Sequence, residues 1–197
     1  DFLQSPFLKS FLGNVYNHLD NFGDDTTVFF IRRPFTNIIK EKVYYFPTRY
    51  DKLDEASEII RQEMTDCCID ADEHDSFFTA ISECIMNAYE HGNLAITFDI
   101  KHELIKNGDY EIELLKKEKN NDKMITVRFV YCDDIESKYI IIGIRDEGAG
   151  YPETVFKNAI GDTTKFNGRG IKIIDYYTDI FFFSEDRREI FIGIKVK

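Results

Sequence analysis

The sequence has no tryptophan, only four prolines and four cysteines, and no long apolar run. Its longest apolar stretches, YIIIGI and DIFFF, are far shorter than the roughly 20 residues that a membrane-spanning helix needs. The cysteines have neither CxxC spacing nor a metal-binding pattern; they are Cys67, Cys68, Cys84 and Cys132. We therefore expect no membrane span, and reduced thiols of the kind found in cytoplasmic proteins.

Basic residues are fewer than acidic residues. The chain has 25 Lys and Arg residues against 36 Asp and Glu residues, which gives a net charge of -11. A nucleic-acid-binding protein usually carries a basic stripe, and the sequence has none, so we expect no DNA or RNA partner. An acidic protein can still bind ATP where backbone N–H groups and Mg²⁺ contact the phosphates.

Residues 1–33 are predicted to form a separate unit. The segment SPFLKSFLGNVYNHL has apolar residues at helical spacing, NFGDD is typical of a turn, and TTVFFIRR is typical of a β-strand. The start of the sequence has no positively charged leader, which argues against a signal peptide. It also lacks an initiator Met, so we expect a piece of a longer protein.

Two long helices are predicted next. DKLDEASEIIRQEMTDCC is the first, with Asp51 or Asp54 as its N-cap. ADEHDSFFTAISECIMNAYEH is the second, and Gly92 is its expected C-terminal stop. The polar segment 94–123 predicts one further helix with a loop around Asn107-Gly108.

The strands come mostly after these helices. KVYYFPTRY suits a sheet edge because of its proline, MITVRFVYC alternates, and the apolar KYIIIGIRD is expected at the centre of the sheet. DIFFFSE and EIFIGIKVK predict a hairpin, preceded by a short helix, GIKIIDYYT. The fold class is therefore α+β, a two-layer sandwich of helices on a mostly antiparallel sheet.

Three motifs in this framework carry candidate chemistry. The first is Glu83-x-x-x-Asn87, whose spacing places both side chains on one helix face. An amide oxygen is a hard ligand for Mg²⁺, and a carboxylate can accept a proton from an attacking hydroxyl or water. The alternative interpretation is an ordinary solvated polar face.

The second motif is RDEGAGYP, which directly follows the central strand. Asp146 stands at the strand end, where its carboxylate can accept a hydrogen bond from an exocyclic amine such as that of adenine. Gly148 and Gly150 permit close approaches or backbone angles that a Cβ would block. The alternative is a simple Asp-Gly turn.

The third motif is NGRGIKII, in which Gly168 and Gly170 open a helix. Free N–H groups at a helix start form an anion site, and Arg169 can add a phosphate contact. The spacing is that of neither a P-loop nor a Rossmann fingerprint. The alternative is a glycine-rich turn that only caps the helix.

In this order, the three motifs resemble those of the GHKL ATPase superfamily, which includes gyrase, heat-shock chaperone ATPases, histidine kinases and mismatch-repair ATPases. ECIMNAYEHGN resembles the N box, DEGAGYP the first glycine box and GRGIKII the second. The resemblance covers roughly residues 43–197. It is greatest to the anti-sigma factor serine kinases, whose typical N box is E-x-x-x-N-A-x-x-H-G.

The resemblance implies a Bergerat-type ATP-binding fold that uses ATP and Mg²⁺. Glu83 matches the general base and Asn87 the Mg²⁺ ligand, while His91 and Gly92 match the end of the N box near the phosphates. The remaining matches are the adenine-reading aspartate, the glycines of its pocket and the phosphate-side turn: Asp146, Gly148, Gly150, Gly168, Arg169 and Gly170. Residues 153–167 match the ATP lid.

Two segments depart from compact members of this family. Segment 94–123 is longer than a plain serine kinase needs, which indicates an extra helical pair and leaves partner recognition open. NFGDDTTVFFIRR resembles the closing strand of sporulation-type metal-dependent serine phosphatases, in which Asp24 or Asp25 would match a metal ligand. Residues 1–33 are thus expected to be a remnant of such a domain, without phosphatase activity of their own.

The expected function is that of an ATP- and Mg²⁺-dependent serine/threonine protein kinase that phosphorylates a small antagonist protein in a partner-switching cascade. A sigma factor and a homodimer are further partners that the resemblance allows. The alternative is an ATP-gated protein-binding module with little or no phosphotransfer. Histidine kinases usually have Asn or His in place of Glu83, and ATPases of the gyrase kind need a transducer domain after the last strand, so both fit less well.

Overall fold

An antiparallel sheet organises the described residues, which are residues 37–133, 137–151 and 169–196 of a computed structural model. Its five strands are β1 (Asn37–Pro47), β2 (Met124–Asp133), β3 (Lys138–Arg145), β4 (Ile180–Phe183) and β5 (Glu189–Val196). They lie in the order β1-β2-β3-β5-β4, and every neighbouring pair is antiparallel. The prediction of an α+β sandwich with a mostly antiparallel sheet is confirmed.

Strand positions follow from the sequence pattern. β3 has almost continuous apolar residues and lies at the centre of the sheet, where Ile140, Ile142 and Ile144 are buried on the helix side. β1 lies at the edge, as Pro47 predicted, but it begins at Asn37, earlier than expected. The predicted hairpin is the β4–β5 pair.

Five α-helices are described: α1 (Leu53–Asp66), α2 (Asp75–Asn87), α3 (Phe98–Asn107), α4 (Tyr110–Lys119) and α5 (Arg169–Tyr176). Short 3₁₀ turns, Tyr50–Lys52 and Ala71–His74, precede α1 and α2. No helix in these residues is both long and apolar enough to cross a membrane.

The core lies between the sheet and α1, α2 and α5. α2 is the central helix of this layer because it packs against α1 on one side and α5 on the other. Its apolar residues recur at helical spacing and are buried: Phe77, Phe78, Ala80, Ile81, Cys84 and Ile85. This burial fixes which side of α2 remains available for polar residues.

Two predicted helix ends were wrong. α1 has Lys52 at its N-cap with no side-chain bond, because the Tyr50–Lys52 turn already leads the chain into the helix. Gly92 does not stop the second helix: α2 continues as a π-helix through Ala88–Asn93. Leu94 N–H then bonds to the Tyr89 carbonyl, which is the five-residue spacing of a π-turn.

The polar segment 94–123 holds two helices, α3 and α4. The single helix expected from its pattern was wrong, and the helical pair indicated by its length is confirmed. The two helices are joined at Gly108, whose φ of 76° is in the left-handed region that favours glycine. The segment is thus a helical pair, the α3–α4 hairpin. The predicted helix and strand of residues 1–33 lie outside the described residues, and so does the segment matched to the ATP lid.

Candidate functional site

Glu83 and Asn87 meet on the polar side of α2. Asn87 Nδ2 donates a hydrogen bond of 3.2 Å to Glu83 Oε1, and both side chains are partly exposed. Ile81, Cys84 and Ile85 hold the opposite side of the helix in the core. Among the described residues Glu83 has no other hydrogen-bond partner and Asn87 Oδ1 accepts no hydrogen bond, so oxygen atoms of both remain available to a ligand.

Gly170 brings the start of α5 onto this pair. A methyl group at Gly170 would overlap the Glu83 carboxylate, at 2.8 Å from its Cδ. Only a glycine allows this approach of the α5 backbone to Glu83. Arg169 begins α5, and Gly168 lies outside the described residues. The third motif therefore meets the first one through Gly170.

Gly92, in the π-helix that follows Asn87, is packed on Asp146. A Cβ at Gly92 would lie 2.7 Å from Asp146 Oδ1, and one at Gly148 would lie 2.6 Å from the carbonyl carbon of Gly92. Gly148 N–H also donates a 2.7 Å hydrogen bond to Asp146 Oδ1. Gly92 and the turn after β3 are thus packed together at distances that no side chain would permit.

Asp146 is only 3% exposed. Burial raises the pKa of its carboxyl, and the Gly148 N–H, Lys123, Arg145 and Arg188 oppose this shift. In the described part of the chain its Oδ2 accepts no hydrogen bond. A buried carboxylate in this state gains free energy from a ligand that donates a hydrogen bond, which is what an exocyclic amine does.

Gly150 shapes the turn itself. Its φ is 84°, and a Cβ there would lie 2.9 Å from the Asp186 carbonyl oxygen. The turn returns the chain to the β4–β5 connection, where Tyr151 N–H donates a 2.8 Å hydrogen bond to the Arg187 carbonyl. Gly150 therefore acts through backbone conformation.

His91 is exposed, and its Nδ1 lies 2.5 Å from the carbonyl oxygen of Ile96. Because a carbonyl oxygen only accepts, Nδ1 is the donor. This bond ties the π-helix to the segment that follows it. No described contact joins the ring to Glu83 or Asp146, so its expected place near the phosphates stays a prediction.

Sequence reasoning missed Asn93, which is 3% exposed and joins four segments. Its Nδ2 donates to Thr48 Oγ1 at 2.7 Å and to the Met124 carbonyl at 3.0 Å, and its Oδ1 accepts from Glu147 N–H at 2.7 Å. Asn93 therefore holds the residue that follows Asp146. The only sequence signal was an asparagine directly after His-Gly.

Tyr151 was also missed as a candidate site residue. Its hydroxyl oxygen is buried and has no hydrogen-bond partner in the described residues. Burial raises the pKa of this phenol well above its usual value, and the nearby Cys84, Asp146 and Glu83 raise it further. One phenol thus lies near the carboxylates of the first and second motifs.

These residues fit a magnesium nucleotide in part. The described residues contain no group of three or more His, Cys, Asp or Glu side chains that could hold a metal ion alone. Asn87 Oδ1 is one suitable oxygen, so a metal here would also need oxygens from the nucleotide and from water. Magnesium nucleotides meet this requirement, because Mg²⁺ commonly binds through one or two protein groups plus phosphates.

Comparison of the sequence with models of known protein families gives no match, and the curated proteins give none either. The functional interpretation of the site therefore depends on its geometry and on the motif resemblance.

Proposed function

We propose that this chain is an ATP- and Mg²⁺-dependent serine/threonine protein kinase of the anti-sigma factor type, a cytoplasmic member of the GHKL superfamily. The observation that carries the proposal is the meeting of the three motifs. Glu83 lies against Gly170, and Asp146 lies against Gly92 and Gly148. Motifs far apart in the chain that pack at glycine-only distances are what a shared nucleotide site requires.

Each residue then has a distinct task. Asp146 accepts a hydrogen bond from the adenine amine, and the backbone N–H groups at the start of α5 face the phosphates. Asn87 Oδ1 would bind Mg²⁺, which neutralises charge on the phosphates when bound.

Glu83 accepts the proton of the substrate hydroxyl. As that hydroxyl oxygen bonds to the γ-phosphorus, the bond from the γ-phosphorus to the β–γ bridging oxygen breaks and ADP leaves. The bond from Asn87 Nδ2 to Glu83 Oε1 orients the carboxylate for this step. The substrate we propose is a small antagonist protein with an exposed Ser or Thr, and a sigma factor and a second copy of this chain are further proposed partners.

A second candidate is an ATP-gated protein-binding module with little or no phosphotransfer. Two exposed apolar residues of the α3–α4 hairpin favour this binding function: Ile112 is 67% exposed and Leu115 is 65% exposed. Exposed apolar residues of this kind are frequent at protein interaction sites. The module and the kinase both need the nucleotide site, and they differ in whether phosphate moves.

Phosphate transfer from γ-labelled ATP to candidate antagonist proteins separates the two. For the kinase we expect labelled antagonist, and Glu83→Gln should reduce the rate by about 10²- to 10⁴-fold, the usual contribution of a general base, while ATP affinity stays within about twofold. Glu103→Gln, an exposed glutamate on α3, is the matched control and should leave the rate unchanged. Tight ATP binding without any labelled antagonist would favour the binding module, and no ATP binding would reject both functions.

A further inference from the structure

The Tyr151 hydroxyl is a buried polar group that the proposed mechanism does not use. No described residue bonds to it. A buried hydroxyl without a partner destabilises a folded protein because it has given up its hydrogen bonds to water. Such a group in a candidate site can be satisfied by a bound ligand, since no described residue supplies the bond.

Contacts hold the backbone and the ring of Tyr151 in place. Tyr151 N–H bonds to the Arg187 carbonyl at 2.8 Å, and the ring packs against Phe183 with the centroids 4.6 Å apart. Gly150, with its φ of 84°, sets the direction in which the chain enters Tyr151. The hydroxyl is therefore fixed in the interior by both its backbone and its ring.

The Tyr151 hydroxyl lies at the end of the site where Asp146 is proposed to bind the adenine base. Tyr151 belongs to the same turn as Asp146, and Glu83 and Cys84 of α2 lie near its phenol. Neither carboxylate is bonded to the hydroxyl, although both are acceptors. The hydroxyl therefore stays without a partner in the described residues, although it belongs to the turn that carries Asp146.

We propose that the Tyr151 hydroxyl forms a hydrogen bond with the nucleoside part of a bound adenine nucleotide and thereby contributes to its selection. The inference deepens the proposed function and depends on it. It assigns a ligand-binding role to a residue outside the expected site residues. The γ-phosphate takes no part, because the turn that holds Tyr151 also holds the base-reading Asp146.

This role predicts opposite effects of Tyr151→Phe on the free and bound protein. Removal of an unpaired buried hydroxyl should raise the Tm of the nucleotide-free protein by about a degree or more. Removal of the bond to the ligand should weaken binding of Mg-ATP and Mg-ADP equally, by about three- to tenfold. If Tyr151 had only a structural role, the Tm of Tyr151→Phe without nucleotide would be lower than that of the wild type.

Tyr44→Phe is the matched control. Tyr44 OH of β1 donates to Glu63 of α1, and neither residue belongs to the candidate site. Loss of this bond should lower the Tm and leave nucleotide affinity unchanged. The experiment combines thermal unfolding without nucleotide and titration calorimetry with Mg-ATP and Mg-ADP on all three proteins.

The inference is overturned if Tyr151→Phe binds both nucleotides as tightly as the wild type, if its Tm fails to rise, or if only ATP binding weakens. In each of these cases wild-type binding still supports the proposed function. If the wild type binds neither nucleotide, the proposed function fails and this inference fails with it.

Discussion

The backbone of Gly170 lies directly against the carboxylate of Glu83, so that any side chain at residue 170 would occupy the position of that carboxylate. A side chain added at residue 170 would meet the carboxylate end of Glu83, which is partly exposed and can move away. A substitution here should therefore displace the carboxylate without damaging the core.

Gly170→Ala tests this arrangement. Alanine favours a helix over glycine by about 1 kcal/mol, which offsets the cost of moving Glu83, so we expect the free energy of unfolding to change by less than about 1 kcal/mol. Phosphate transfer should fall at least about tenfold, because the carboxylate is no longer positioned for the hydroxyl. Urea unfolding and a labelled-ATP assay measure the two quantities.

Gly148→Ala gives the contrasting result. Its Cβ would meet the backbone of Gly92, which cannot swing aside as a side chain can. We expect a loss of about 1–3 kcal/mol in the free energy of unfolding, the usual cost of overpacking. Equal stability losses in Gly148→Ala and Gly170→Ala would mean that the start of α5 does not pack on a movable side chain.

Asp146→Asn should separate ligand binding from folding. The asparagine can still accept the Gly148 N–H through Oδ1, but its new NH₂ group cannot accept a hydrogen bond from an amine. We expect Mg-ATP and Mg-ADP to bind about 10- to 100-fold more weakly, the scale of a hydrogen bond to a charged group.

The stability of Asp146→Asn should be unchanged or higher at neutral pH. Burial raises the pKa of Asp146, which means that folding disfavours its ionised form. Asp99→Asn, at an exposed residue of α3, is the control and should alter neither quantity. Calorimetric titration and urea unfolding check both, and undiminished affinity in Asp146→Asn would remove this residue from the site.

Asn93→Ala should be far more damaging than a surface asparagine substitution. It removes both side-chain donors and the acceptor of a buried amide, and it leaves Glu147 N–H and the Met124 carbonyl without that partner. We expect a loss of about 2–4 kcal/mol in the free energy of unfolding. Asn120→Ala, whose exposed amide donates to the Lys116 carbonyl, should cost less than about 1 kcal/mol in the same urea experiment. Similar losses in the two variants would show that the contacts of Asn93 carry little energy.

Strongly periodic segments of the fold were predictable from the sequence. The apolar run of β3 indicated a central strand, and DIFFFSE with EIFIGIKVK indicated the β4–β5 hairpin. The start of β1 was not predictable, because its first residues are exposed on an edge strand and Ile38 and Ile39 do not alternate with buried neighbours.

The motifs of the candidate site were predictable from the sequence, but the residues that hold those motifs in place were not. The resemblance pointed to Glu83, Asn87 and Asp146. The structure then showed Glu83 and Asp146 packed against glycines, and Asn87 hydrogen-bonded to Glu83. The π-helix that carries Asn93 was not foreseen, because one extra residue per turn leaves no periodic signal over six residues. Tyr151 gave no signal because an aromatic residue after a glycine turn is usually a core residue.

The last prediction concerns pH and the contact between α1 and β1. Glu63 is 4% exposed and contacts three side chains of β1. Its Oε2 forms an ion pair of 2.6 Å with Lys40 Nζ, and its Oε1 accepts hydrogen bonds from Lys42 Nζ at 2.7 Å and from Tyr44 OH. Burial alone would raise the pKa of Glu63, but these hydrogen bonds outweigh burial and lower the pKa from 4.5 to about 2. The folded protein therefore releases this proton more readily than the unfolded chain.

Because the folded pKa is depressed, the stabilisation is complete above the unfolded pKa of 4.5 and is lost as the pH falls towards about 2. We expect Glu63→Gln to be about 2–3 kcal/mol less stable than the wild type at neutral pH, and the two stabilities to converge near the folded pKa. Urea unfolding at several pH values measures this difference. Glu58→Gln, at an exposed residue of the same helix, should follow the wild-type curve at every pH. A constant gap between wild type and Glu63→Gln across the acid range would show that the ionised carboxylate is not what joins α1 to β1.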